Sequence, residues 1–125
     1  MTRLPLAFFG TAVLCAVGGM IWGILMAASG DHGMMPAHAH LNLMGWATLA
    51  LMGTYYALSG KSGRLGWTNY ALSTLGVVIS IPSIALLLAG NPAAEKGATA
   101  GAILALLGML VFAYGVLMDF CAAKA

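Results

Sequence analysis

All of the histidines in this sequence fall in one short segment, Asp31-His32-Gly33-Met34-Met35-Pro36-Ala37-His38-Ala39-His40, which runs on into Leu41-Asn42-Leu43-Met44-Gly45-Trp46. Imidazole is an axial ligand for haem iron and a ligand for copper, and the neighbouring methionine thioethers suit copper in its reduced state. Pro36 predicts a helix start, because a proline in the first turn gives up only an amide that has no intrahelical acceptor. His38 and His40 then lie in the opening turns of that helix, and His32 lies in the loop before it. At 100° per residue the two helical histidines point about 160° apart. An ideal helix therefore cannot bring both to one small site.

His38 shares its face with Asn42, Gly45, Leu49, Met52, Gly53 and Tyr56. Side chains vanish at Gly45 and Gly53, which leaves room for something flat below the imidazole. A haem lying edge-on between helices needs an axial imidazole and small residues where the ring passes, and this face offers both. His40 shares its face with Met44, Ala47, Thr48 and Leu51, which has no glycine. Copper is the alternative cofactor, with His32, Met34, Met35, His38 and His40 as its donors. Methionine is also a general filler of apolar interiors, so packing alone accounts for the nine methionines of the chain.

The elements that must position these residues follow from composition. Of 125 residues, 62% are hydrophobic and only 6% are charged, against roughly a quarter charged in an ordinary soluble domain. Arg3, Asp31, Lys61, Arg64, Glu95, Lys96, Asp119 and Lys124 separate four uncharged stretches, 4–30, 32–60, 65–94 and 97–118. Each reaches the roughly 20 residues that a 30 Å hydrocarbon layer requires of a helix. The fold expected is an all-α membrane protein, one domain over 1–125, with transmembrane helices near 5–28, 37–58, 67–89 and 98–119. The intervening turns are short, so consecutive helices run antiparallel as an up-down-up-down bundle. The first segment resembles a secretory leader in Ala27-Ala28-Ser29 and in a thin positive start at Arg3. Its length, with Gly18, Gly19 and Gly23, suits a packed helix better.

Small residues recur at helical spacing, including Gly19 with Gly23, Gly45 with Gly53, and Gly101 with Ala105 and Gly108, which lets backbones approach closely in lipid. Pro82 removes one hydrogen bond from the third helix and predicts a kink there. Cys15 and Cys121 show no metal spacing and are read as inert. A net charge of +2 gives no reason to invoke nucleic acid. Its distribution does orient the chain: Arg3, Lys61, Arg64 and Lys124 share one side, so both termini are expected in the cytoplasm and the histidines outside.

The stretch from His38-Ala39-His40-Leu41-Asn42-Leu43-Met44-Gly45-Trp46 to Met52-Gly53-Thr54-Tyr55-Tyr56 resembles the second transmembrane helix of subunit I in the haem-copper oxidase and nitric oxide reductase superfamily. It also resembles short four-helix proteins labelled oxidase subunit I-like, whose second helix opens with His-Ala-His-Leu-Asn-Leu. The resemblance implies an axial ligand to b-type haem at His38 or His40, in the inner membrane of a bacterium. Electron transfer or diatomic gas binding would be its function, beside a respiratory redox partner. No histidine follows His40, so a complete oxygen- or nitric-oxide-reducing centre in one subunit is not expected. A purely structural accessory subunit is the remaining alternative. The second axial ligand is expected from a neighbouring subunit of a homo-oligomer.

The orientation is open to cysteine labelling. A cysteine at Gly33 should react with an impermeant reagent from outside the cell and one at Ser62 should not; the reverse pattern would overturn the assignment.

Overall fold

The computed structural model describes residues 1–124 and is all-helical apart from its turns. Helix α1 is Arg3–Ser29, α2 covers 35–59, α3 is Arg64–Leu88 and α4 is Glu95–Ala122. Each differs from its expected span by a turn or less at either end. Helix α1 stops at Gly30, where a left-handed φ of 70° turns the chain and the Gly30 amide donates to the Met26 carbonyl at 3.0 Å. Gly60, at φ 68°, ends α2 in the same way. The 3-10 turn Pro92–Ala94 leads into α4, and the Asn91 side chain accepts its Ala93 amide. At Pro82 the helix assignment of α3 is unbroken, and the Ser83 hydroxyl donates to the Ile79 carbonyl at 2.7 Å.

Helix α2 is not uniform. Its pieces are α-helical Met35–His40, a π-helical segment Leu41–Thr48, and α-helical Leu49–Ser59. A π-register passes each backbone bond to the carbonyl five residues back and widens the turn. Two side chains brace it: the Asn42 amide donates to the His38 carbonyl at 3.0 Å, and the Thr48 hydroxyl donates to the Leu43 carbonyl at 2.7 Å.

Helices α3 and α4 meet backbone to backbone. A methyl group on Gly76 would stand 2.6 Å from the Ala105 amide nitrogen, and one on Gly101 would stand 2.5 Å from the Ser80 amide nitrogen. Helices α1 and α2 meet more loosely, with side chains of α1 lying in the glycine gaps of α2. The two pairs join through Leu4, Phe8, Ala12, Leu49, Met52 and Tyr56, all buried, with Tyr70 and Phe112 packed against them. The Phe8 ring stacks on Tyr56 at 5.5 Å and meets Tyr70 edge-on at 5.1 Å. Tyr55 and Lys61 both bond to Asp119, which brings the 60–63 turn to the end of the bundle that carries the termini.

Polarity runs inside out. Asn69, Ser73 and Ser80 are buried while Leu14 and Leu58 are 75% and 84% exposed. Asn69 donates to the Tyr56 hydroxyl at 3.1 Å and accepts from the Ser73 hydroxyl at 3.0 Å, so its polar groups are met inside the bundle. Water would favour the opposite arrangement; a lipid environment favours this one. Three helical stretches, Arg3–Ser29, Arg64–Leu88 and Pro92–Ala122, are long and apolar enough to cross a membrane, and the chain reads as a multi-pass membrane protein.

The α3–α4 contact yields a direct measurement. Gly101→Ala drives a methyl group into the Ser80 backbone and should cost about 1–3 kcal/mol, as overpacking does. Gly18→Ala meets nothing within 4 Å and should leave stability unchanged or raise it by up to about 1 kcal/mol through helix propensity. Denaturant midpoints in detergent micelles report both.

Candidate histidine site

The site sits where α2 begins. Pro36 opens the helix, and the turn that follows projects His38 and His40 in different directions before the π-segment starts at Leu41. His40 is exposed, and its Nδ1 lies 2.7 Å from the Pro36 carbonyl oxygen. A carbonyl can only accept, so in the neutral ring Nδ1 carries the proton and Nε2 carries the lone pair. This is how ligating histidines are held: one nitrogen is fixed by a backbone carbonyl and the other is left to the metal. Leu43 and Trp46, also exposed, give α2 a strongly apolar outer surface below His40.

His38 faces the other way. It is half-buried against α1, where its Cε1 would stand 3.2 Å from a methyl group on Gly23 and Trp22 meets its ring edge-on at 6.4 Å. The Asn42 amide nitrogen lies 3.4 Å from both ring nitrogens, at the long limit of a hydrogen bond, while its firm bond goes to the His38 carbonyl. An open groove of about 480 Å³ runs beside His38, lined also by Met20, Ile24 and Ala27. His32, exposed in the loop, sets its Nδ1 3.1 Å from the Gly30 carbonyl.

The glycine face below His38 does form one buried stripe: Gly45, Leu49, Met52, Gly53 and Tyr56 are all buried. It is not open. A methyl group on Gly45 would stand 2.7 Å from the Cys15 sulfur, and one on Gly53 would stand 2.9 Å from Phe8 Cβ. The gaps expected to pass a haem hold side chains of α1, so a macrocycle does not fit on this stripe. Asn42 likewise packs over Gly19, whose missing side chain makes room for it. Of the two helical histidines, His40 is the more exposed.

Among the expected copper donors, Met34 is half-buried and Met35 is 45% exposed, and among the described residues no three His, Cys, Asp or Glu side chains converge on a metal position. No protein-family model matches the chain, and neither a curated protein nor a solved structure matches it.

Two features escaped the sequence reading. The π-segment left no periodic trace, and its nearest signals are Asn42 and Thr48, which can both bond backwards to the helix. The second is a polar group at the opposite end of the bundle, Tyr55, Lys61 and Asp119 around a cavity. A lone acid at the end of the last apolar stretch and a lysine three residues before Arg64 were its available signs.

Because Cys15 occupies the space at Gly45, Gly45→Leu should destabilise the α1–α2 pair by about 1–3 kcal/mol. The loss should be measurable as a lower unfolding midpoint in protein stripped of any cofactor. An unchanged midpoint would mean that this stripe is open after all.

Proposed function

We propose that the chain is a four-span protein of the bacterial inner membrane that binds b-type haem through His40, in electron transfer or diatomic gas binding. The observation that carries this reading is the Nδ1 contact of His40 with the Pro36 carbonyl, which presents Nε2 as a lone-pair donor on the outside of the bundle. A bound haem would supply a one-electron iron centre or a gas-binding position. The chain itself orients the imidazole, fixes its tautomer and surrounds the site with apolar surface.

One outward histidine cannot close both axial positions, so the partner in this proposal is a second copy of the chain offering its own His40, as symmetric association allows. Helix α2 is the fourth span: 25 residues from Met35 to Ser59 cover the hydrocarbon layer even with the wider π-turns. The shared side of Arg3, Lys61, Arg64 and Lys124 supports a reading with both termini in the cytoplasm. The sequence resemblance around His38-Ala39-His40-Leu41-Asn42-Leu43 supports the same cofactor. Copper and a purely structural role are the competing outcomes.

Protein purified in detergent should show a Soret band and one haem per dimer. His40→Ala should lower haem occupancy on the order of tenfold or more, while His38→Ala should retain most of it, because His38 is turned toward α1. Equal occupancy in His40→Ala and the unmodified chain would overturn the assignment. A colourless protein that also fails to take up added haemin would leave the structural role, and copper without a Soret band would assign the metal instead.

A further inference from the structure

At the end of the bundle that carries the termini, α2, the 60–63 turn, α3 and α4 enclose a cavity of about 290 Å³. It is open where a side chain is missing at Gly115, since the nearest atom to a methyl group there is a Leu65 methyl at 3.5 Å; Gly66 also lines it, but the space its side chain would take is filled by Leu4 and Tyr56. Tyr56, Leu65 and Met118 give it mostly apolar walls.

Its polar atoms are few and gathered. The Tyr55 hydroxyl donates to one carboxylate oxygen of Asp119, and the Lys61 ammonium donates to the other. The Asp119 side chain is 24% exposed and that of Lys61 is 57% exposed, so the acid sits inside the rim and the lysine at its mouth. The charges of the pair cancel. A phosphate or other anion would meet the carboxylate, and a cation would meet the ammonium; neither suits a pocket that holds both. An uncharged ring bearing a hydroxyl suits it: the hydroxyl can donate to Asp119 and accept from Lys61, while the ring lies among the Tyr56 ring and the glycine backbones. The volume is near the roughly 300 Å³ lower bound of small-molecule pockets, enough for one substituted ring. Leu65 and Met118 are 41% and 52% exposed, so an apolar tail could continue from the ring along the outer surface of the bundle.

We propose that this cavity binds the head group of a membrane quinol, with Asp119 and Lys61 on its hydroxyl and Tyr55 holding Asp119 in place. The proposal uses the end of the bundle away from His40 and does not depend on haem there.

The test titrates the full chain in detergent with a decyl-substituted benzoquinol and follows binding by calorimetry. One saturable site per chain is expected. Asp119→Asn and Lys61→Met should each weaken it about tenfold or more, as losing a hydrogen bond to a charged group does. Both variants also cut ties that hold α4 to α2 or to the 60–63 turn, so Gly115→Leu is the control: it fills the cavity, leaves the three polar groups in place, and should abolish saturable binding without lowering the unfolding midpoint. Neither inorganic phosphate nor phosphatidylglycerol vesicles should displace the quinol. Equal heats from the unmodified chain and Gly115→Leu would mean partitioning into detergent and would overturn the proposal. Displacement by phosphatidylglycerol would overturn it in favour of an anionic lipid.

Discussion

Close approach of backbones at small residues is the constraint on which this structure depends. Lipid tails are as apolar as leucine, so burying leucine gains nothing for helices already in a bilayer, and association rests on van der Waals contact and internal hydrogen bonds. Helices α3 and α4 satisfy that requirement at Gly76 and Gly101, where no side chain separates the two backbones. Their outer faces are consequently free to be almost wholly apolar, and on α4 only Gly101 and Gly108 are buried. Asn69 ties α2 to α3 between Tyr56 and Ser73, while the buried Thr74 and Ser80 hydroxyls have no hydrogen-bond partner among the described residues.

The α1–α2 pair uses the same principle differently. Here glycines on one helix receive side chains from the other: Cys15 at Gly45, Phe8 at Gly53, Asn42 at Gly19 and His38 at Gly23. The last two follow directly from the first two. Once α1 lies in the glycine stripe of α2, the residues that continue that stripe upward are held against α1 as well, and His38 becomes a packing residue with one edge in a groove. His40, on the opposite side of the same turn, is left exposed.

The π-segment falls between this histidine turn and the regular lower half of α2. Such segments cost backbone geometry and are frequent at functional sites, and this one is braced at both ends by side chains that can bond to carbonyls. Asn42 has two tasks there, since the same amide that supports the His38 carbonyl also borders the imidazole. The histidine end and the braced segment are in this sense one unit.

Composition and charge spacing by themselves determined four helices, their ends to within a turn, their antiparallel order, and the face of α2 that is buried. Those properties are set by chain-local physics: apolar stretch length, glycines free to adopt left-handed φ, and a 3.6-residue period. The sequence also singled out the histidine turn, because few other residues in an apolar chain could bind a metal. It misjudged the glycine stripe as open. A missing side chain leaves a gap on an isolated helix, and only the neighbouring helix decides whether that gap is a site or a socket. The same holds for Asp119, which is far in sequence from Tyr55 and Lys61 and meets them only because α4 returns beside α2. Which histidine looks outward was likewise a tertiary decision, made by where α1 packs.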